Sequence, residues 1–298
     1  MLQWFKLIKQ TISLCSILLL ISSLSFAIQP TTTATKTPPI YTIQLKGAIG
    51  PAFAEFFSQS LQTAIDNNAQ AFILQLDTPG GLDSSMRDMI QAILASPIPI
   101  ITYITPAGAR AASAGTYLLY ASHIAAMSPG TNLGAATPVS LTQPAAPATT
   151  DDNNNTTKAM SSMEKKVIND ATAYIESLAQ LRNRNKQWAK TAVQDGKSLT
   201  AQDALEKQVI NLMANDMTDL INQLNQIPIA INDTTLTLNT NATVVSLTMD
   251  IKTKILSKLT SPDIAYMLLI AGIYCLFFEF SNPGSIIPGV LGSVALIL

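Results

Sequence analysis

Histidine and cysteine are scarce in this sequence. Its 298 residues include one histidine, His123, and two cysteines, Cys15 and Cys275. The two cysteines lie in apolar runs near opposite ends of the chain, so we predict no disulfide between them. Zinc sites of the usual kind need several His and Cys side chains. The middle of this chain has a single histidine and no cysteine, so the sequence predicts no such site.

Charged residues are also few. They make up 12% of the chain, about half the usual share, and the formal net charge is -1. A chain without a basic excess has no electrostatic reason to bind nucleic acid, and we predict that it does not. Hydrophobic residues make up 48%, and they are concentrated at the two ends. This distribution indicates membrane segments rather than an unusually apolar core.

The N-terminus has the layout of a secretory signal. Lys6 and Lys9 precede an apolar stretch, and the small residues Ser25 and Ala27 follow in the pattern of a cleavage site. We predict a signal peptide over residues 1–27 and a Thr- and Pro-rich linker over 28–39, with an uncleaved anchor helix as the alternative. In either case the following domain is expected on the exported side.

The C-terminus contains a second apolar stretch, from Ile264 to Phe278. With its flanking residues it approaches the ~20 residues that span a bilayer as a helix. A further apolar run begins at Val290 and is too short to span, so we expect a transmembrane region over 261–298 that is truncated. Three lysines precede the first span on the side expected to be exported, against the positive-inside rule: Lys252, Lys254 and Lys258.

Between the ends, strand and helix patterns alternate. Short apolar runs predict buried strands, and apolar residues at helical spacing predict the helices between them. The expected strands are 40–45, 71–76, 100–104 and 124–127, and the expected helices are 53–67, 83–94, 109–122 and 161–182. This order predicts an α/β domain with a parallel sheet over 40–222. A polar stretch at 143–157 predicts a mobile loop, and 223–260 a short β extension leading to the membrane.

The segment from Gly108 to Thr116 places Ser113 among Ala and Gly residues at the expected start of a helix. Small neighbours allow a substrate backbone to approach, and a helix N-terminus stabilises a developing oxyanion. A tightly packed helix of small residues is the alternative. Gly80 and Gly81 follow a buried strand, in a turn whose N–H groups can line a cleft. Sites in such sheets form beyond the carboxyl ends of the strands, where both segments lie.

A nucleophilic serine needs a base. His123 lies ten residues after Ser113, about 15 Å along a continuous helix, so we predict a structural role for it. A lysine can replace histidine if burial keeps its amine neutral. Lys158, Lys165 and Lys166 follow the polar loop, and their positions alone do not choose among them.

Several segments together resemble the NfeD family of membrane-bound, ClpP-class serine proteases. The similarity extends from about residue 38 to the end. The segments that carry it are, in order, Asp77-Thr78-Pro79-Gly80-Gly81, Gly108 with Ala111-Ala112-Ser113-Ala114-Gly115-Thr116-Tyr117, Met127-Ser128-Pro129-Gly130-Thr131, Ala173-Tyr174-Ile175 with Ser177-Leu178-Ala179, and Phe277-Phe278-Glu279-Phe280-Ser281-Asn282-Pro283-Gly284.

The resemblance implies a ClpP/crotonase-like α/β fold and a serine endopeptidase with a Ser–Lys dyad. Ser113 takes the nucleophile position, and the lysine eight residues before Tyr174 is Lys166, with Lys165 adjacent. The N–H groups of Gly81 and Ala114 would form the oxyanion hole, with Gly80 shaping the turn. The family further implies no metal or cofactor, a homo-oligomer, and stomatin-like membrane proteins as partners or substrates cleaved in apolar segments.

Two departures from the family pattern affect this interpretation. The loop between Ser113 and Lys166 looks longer than usual, which concerns the placement of the lysine. Long members also continue through further membrane spans to a small β-barrel domain, which concerns the membrane assembly. Two alternatives remain: a crotonase-like enzyme acting on acyl-CoA, which export argues against because CoA is intracellular, and a non-catalytic membrane scaffold for stomatin-like proteins.

Overall fold

The computed structural model describes residues 37–139, 161–225, 227–231, 234–239, 241–259, 262–282 and 286–297. The predicted signal peptide, most of the predicted linker, the predicted polar loop and Lys158 lie outside these described residues.

Strands and helices alternate through the first half of the described chain. The strands are β1 (Ile40–Lys46), β2 (Ala71–Asp77), β3 (Ile100–Ile104), β4 (Arg110–Ala112), β5 (Ile124–Met127), β6 (Asn132–Gly134), β7 (Ser198–Thr200), β8 (Leu212–Met213), β9 (Ile229–Ile231), β10 (Thr234–Leu236) and β11 (Val244–Leu247). The helices are α1 (Pro51–Asp66), α2 (Asp83–Ala95), α3 (Ala114–Ala121), α4 (Ser162–Leu181), α5 (Lys186–Gln194), α6 (Ala201–Glu206), α7 (Met217–Leu224), α8 (Ile251–Leu259), α9 (Pro262–Ser281) and α10 (Ile286–Ile297).

The main sheet has six parallel strands in the order β11-β1-β2-β3-β5-β8. Its central strands are nearly continuous apolar runs because both faces of the sheet are covered. In β2, Phe72 and Leu74 face the larger core beneath α1 to α6, whereas Ala71 and Ile73 face a smaller core shared with α7 and β9. The α/β architecture with a parallel sheet and flanking helices is confirmed.

The serine segment differs from the sequence prediction. A helix was expected from Ala109, but α3 begins only at Ala114, and the three residues before Ser113 form the short strand β4. β4 pairs in parallel with β6, which pairs antiparallel with β7. Thr78 holds β4 from the other side, because its N–H donates to the Arg110 carbonyl and its carbonyl accepts from the Ala112 N–H. A run of small residues carries no apolar period, so this pairing was not visible in the sequence.

The C-terminal part begins at an edge of the main sheet. After β11, helix α8 leads into α9, in which Ile264–Ser281 is long and apolar enough to cross a membrane. α10 packs against α9 at close-approaching glycines: a Cβ added to Gly272 would lie 2.7 Å from Leu296, and one added to Gly292 would lie 2.8 Å from the Gly272 carbonyl oxygen. Small residues at such contacts are typical of helix packing in membranes.

Candidate active site

Ser113 occupies a strained turn between β4 and α3. Its backbone angles are φ 52° and ψ −119°, a region that a residue with a side chain rarely adopts and that costs roughly 1–3 kcal/mol. The turn is held by two hydrogen bonds of 2.9 Å, from the Ser113 N–H to the Gly134 carbonyl and from the Thr116 N–H to the Ser113 carbonyl. A sharp strand-to-helix turn of this kind presents a nucleophilic side chain at the head of a helix.

Gly80 lies directly against this turn. Its φ is +120°, and a Cβ added to it would lie 2.6 Å from the Ser113 Cβ. The buried Thr78 hydroxyl fixes the glycine, because it accepts from the Gly80 N–H and donates to the Gly80 carbonyl, both at 3.0 Å. Both the backbone angle and the available space therefore require glycine here. The sequence motif contained Thr78 but gave no indication of this role.

Gly81 and Ala114 each present a backbone N–H beside Ser113. Gly81 forms a parallel bridge with Ile49, but the hydrogen bonds of this bridge are made by the residues on either side of Gly81. The Ile49 N–H donates to the Gly80 carbonyl, and the Leu82 N–H donates to the Ile49 carbonyl. Ala114 is the first residue of α3, where N–H groups have no intrahelical acceptor. Neither N–H donates to any acceptor within the described part of the chain, so both are available to bind an oxyanion.

Ser113, Gly81 and Ala114 line one pocket of about 620 Å³. The rest of its wall is mostly apolar and comes from the start of α1, from α2, from Tyr117 and from the extended segment after β6. The lining includes the apolar side chains of Ile49, Phe53, Leu82, Met86, Ala136, Pro138 and Val139. Burial, the largest cause, and the charge of Asp83 raise the pKa of Tyr117, so its hydroxyl stays protonated. The pocket therefore suits an apolar side chain held next to the Ser113 hydroxyl.

Arg87 lies at the rim of this pocket and connects α2 to α4. Its guanidinium forms ion pairs with Asp83 and Asp170, both at 2.8 Å, and lies 4.5 Å from the ring centroid of Tyr174. Burial by itself lowers the pKa of Arg87, but the hydrogen bonds and charges of the two carboxylates outweigh burial and raise it. Sequence reasoning missed this cluster, although the four-residue spacing of Asp83 and Arg87 on one helix was a signal for the first ion pair.

Lys166 lies apart from this group. It is exposed in the first turns of α4, as is Lys165, and neither residue lines the pocket. The helix begins there with a capping box, in which the Ser161 hydroxyl accepts from the Glu164 N–H and the Glu164 carboxylate accepts from the Ser161 N–H. The structure thus brings Ser113, Gly80, Gly81 and Ala114 together, as the sequence predicts, but does not bring Lys166 to the pocket.

His123 lies beyond the other end of α3. Its Nδ1 accepts a hydrogen bond of 3.1 Å from the Ile100 N–H. Burial, the largest cause, and the charges of Arg182 and Arg184 lower the pKa of His123 to about 3, so the ring is neutral at physiological pH. These contacts agree with the structural role predicted for it.

Two families match this chain over separate ranges. Residues 39–234 match NfeD1b, N-terminal domain, and residues 263–298 match the NfeD integral membrane domain. Membrane-bound protease PH1510 from Pyrococcus horikoshii is 37% identical over 262 residues, which is 87% of this chain and 57% of that protein. Membrane protein NfeD1b from Bacillus subtilis is 29% identical over 273 residues, which is 87% of this chain and 55% of that protein. The chain therefore spans only a little more than half the length of either relative.

Solved structures of a related protease share the fold. The 1510-N membrane protease specific for a stomatin homolog, from Pyrococcus horikoshii, has a TM-score of 0.62 at 34% identity, with 76% of this chain and 100% of that chain covered. A lysine-to-alanine mutant of the 1510-N membrane-bound stomatin-specific protease, in complex with a substrate peptide, has a TM-score of 0.65 at 34% identity, with 75% and 98% covered. A serine-to-alanine mutant has a TM-score of 0.63 at 35% identity, with 72% and 99% covered. With a family match over most of its length and these relatives, the chain belongs to the NfeD family of membrane proteins.

Proposed function

We propose that this chain is a membrane-anchored serine endopeptidase in which Ser113 is the nucleophile and Lys166 the general base. The observation that carries the proposal is the Ser113 turn, which shares one pocket with the unpaired N–H groups of Gly81 and Ala114. Further support comes from the related protease, whose solved structures include a serine-to-alanine mutant and a lysine-to-alanine mutant in complex with a substrate peptide.

The proposed reaction proceeds through an acyl-enzyme. The neutral Lys166 amine takes the proton of the Ser113 hydroxyl, and the serine oxygen attacks the peptide carbonyl carbon. The N–H groups of Gly81 and Ala114 stabilise the resulting oxyanion. The Lys166 ammonium then protonates the departing amine, and the C–N bond breaks. Water, deprotonated by Lys166, hydrolyses the ester and releases Ser113.

This mechanism sets a requirement on α4. A lysine in water is protonated at neutral pH and cannot act as a base until burial favours its neutral form. Lys166 is exposed, and so are Met163 and Val167 on the same two turns, at 69% and 45%. In the proposed active state a second copy of the chain covers these turns and brings the amine to Ser113. We propose that the working form is a homo-oligomer.

The proposed substrates are apolar segments of membrane-associated, stomatin-like proteins. The pocket beside Ser113 is mostly apolar, and the related protease is described as stomatin-specific. Attachment through α9 keeps the site near a membrane, where such substrates are concentrated. We propose that the domain lies on the exported side, which follows from the predicted signal peptide.

A non-catalytic scaffold for stomatin-like proteins is the second candidate. The exposure of Lys166 favours it, because an inactive protein needs no neutral lysine. The two candidates differ in whether Ser113 becomes acylated.

The test uses the detergent-solubilised full chain with a fluorophosphonate probe and with apolar peptides. We expect the probe to label Ser113 and the peptides to be cleaved, with both activities lost in Ser113→Ala and Lys166→Ala. Lys165→Ala is the matched control, since Lys165 is also exposed and lies on the same turn. Loss of activity in Lys165→Ala but not in Lys166→Ala would assign the base to Lys165. Absence of labelling and cleavage in the wild-type chain would favour the scaffold.

A further inference from the structure

Two arginines close the C-terminal end of α3, the helix that begins at the candidate nucleophile. The last four carbonyls of a helix have no intrahelical donor, and here every one of them has a partner. The Leu118 carbonyl accepts from the Ser122 hydroxyl and N–H, and the Ala121 carbonyl accepts from Arg182 Nε at 2.8 Å. The two carbonyls between them, of residues 119 and 120, accept from Arg184 Nη1 at 3.1 and 2.9 Å.

Arg184 is the more unusual of the two because it is almost fully buried, at 7% exposure. Its Nη1 also donates to the Ser122 carbonyl, and its Nη2 donates to the Asn211 side-chain oxygen, both at 2.9 Å. No carboxylate pairs with it in the described part of the chain, and its Nε has no partner there. Burial, the largest cause, and the charge of Arg182 lower the pKa of Arg184 to about 9, so the guanidinium is charged at neutral pH.

A lone buried charge is a costly way to satisfy carbonyl groups. Removing a charge from water without a counter-ion is strongly unfavourable, whereas neutral donors or water satisfy most helix ends. The charge must therefore be offset by the partial negative charge at the end of α3. The guanidinium neutralises the partial negative charge at the C-terminal end of α3. The N-terminal end of the same helix, which is partially positive, faces the candidate oxyanion.

The two ends of α3 are close together. The helix has eight residues and is about 12 Å long. Ser113 and the Ala114 N–H lie at its start, and the whole helix is buried, so little water lies between the guanidinium and the pocket. At an effective dielectric constant of about 20, a full charge at this distance changes the stability of an oxyanion by a factor on the order of ten.

We propose that Arg184 is a positioning residue for the Ser113 site, which it supports through α3 by fixing the C-terminal end of the helix and by providing a buried positive charge behind the oxyanion hole. This proposal rests on the proposed function, since it concerns the rate at which Ser113 is acylated. Arg184 lies in the connection between α4 and α5 and does not line the pocket. The proposal gives this connection a role in the reaction.

The sharpest test is Asn211→Asp. The side-chain oxygen of Asn211 accepts from Arg184 Nη2 and from the Ala125 N–H, at 2.9 and 2.8 Å, and a carboxylate of the same shape keeps both bonds while offsetting part of the guanidinium charge. We expect fluorophosphonate acylation of Ser113 to slow about threefold, less than on loss of the guanidinium, because residue 211 is exposed and its charge is partly screened. The melting temperature should stay constant or rise, because the buried guanidinium gains a counter-ion. Gln208→Glu, which adds the same charge to an exposed neighbour, is the control and should keep the wild-type rate.

Direct replacement of Arg184 gives the second measurement. Arg184→Gln should slow acylation about tenfold. Arg184→Lys, which keeps the positive charge, should acylate at close to the wild-type rate, although both variants should lose a similar amount of thermal stability. A merely structural role predicts that the two variants slow alike and that Asn211→Asp acylates at the wild-type rate. Either result would overturn this proposal while leaving the peptidase intact. Absence of acylation in the wild-type chain would refute the proposed function, and this proposal with it.

Discussion

At the scale of single residues, the Ser113 turn depends on Gly80 having no side chain. Gly80→Ala introduces a Cβ that would lie 2.6 Å from the Ser113 Cβ, and real atoms do not approach so closely. We expect the Ser113 turn to move and fluorophosphonate labelling to fall at least tenfold. The free energy of unfolding should fall by about 1–3 kcal/mol, from backbone strain and overpacking.

Gly108→Ala is the matched control for this change. Gly108 also has a positive φ, of +86°, but an added Cβ would meet no atom within 4 Å. Its substitution should cost about 1 kcal/mol of stability from backbone strain alone and leave the labelling rate unchanged. Equal labelling of both variants would show that the contact between residues 80 and 113 is unimportant for the nucleophile.

His123 predicts a specific acid dependence of stability. Its pKa is lowered to about 3 in the folded chain from about 6.5 when unfolded, so the unfolded state takes up a proton first as the pH falls. The stabilising contribution is thus fully present above pH 6.5 and declines towards pH 3, by up to about 1.4 kcal/mol per pH unit. His123→Asn, which keeps an acceptor for the Ile100 N–H, should flatten this decline.

The measurement is denaturant unfolding followed by the fluorescence of the buried Trp188, between pH 5 and 6.5. Carboxylates titrate mainly below this window, and His123 is the only histidine, so the slope there belongs to it. An identical slope in wild type and His123→Asn would contradict the lowered pKa.

At the scale of elements, α4 divides into an exposed first half and a packed second half. Ala171, Ile175, Leu178 and Ala179 in the second half belong to the main core, whereas the turns that carry Lys166 begin at the Ser161–Glu164 capping box and contact the core through Ile168. Ser161→Ala should weaken these turns by about 1 kcal/mol. Amide exchange in residues 163–168 should accelerate while the melting temperature stays nearly constant.

Ser162→Ala is the control for this prediction, because Ser162 is an exposed neighbour inside the helix rather than its cap. If the first turns of α4 must be ordered for Lys166 to reach Ser113, peptide cleavage should fall in Ser161→Ala and not in Ser162→Ala. Unchanged exchange in Ser161→Ala would show that other contacts hold this end of the helix.

The elements also show what the sequence could reveal. β2 and β3 were predicted correctly because a strand covered on both faces is a nearly continuous apolar run with clear ends. The start of α3 was placed several residues early, because alanine, serine and glycine fit a helix, a strand or a strained turn equally well. The turn at Ser113 depends on pairing with Gly134 and Thr78, which are distant in sequence, and the cap formed by Arg184 depends on a segment more than 60 residues later.

At the scale of the whole molecule, the membrane segments and the pocket belong to one continuous assembly of elements. β11 extends the main sheet beside β1, α8 packs against α1, and Phe53 near the start of α1 lines the pocket. The chain that enters the membrane is thus connected through two packed elements to the wall of the candidate site.

The sidedness of this assembly is the last prediction. Lys6 and Lys9 favour export of the domain, whereas the three lysines of α8 oppose it by the positive-inside rule. Long domains translocate largely regardless of their charge once a signal has started export, so we expect the N-terminal signal to decide. In a chain with Cys15 and Cys275 replaced by serine, a single cysteine introduced by Gln180→Cys, at an exposed site of α4, should react with a membrane-impermeant maleimide in intact cells. Labelling only after lysis would place the domain, and with it the proposed substrates, on the cytoplasmic side.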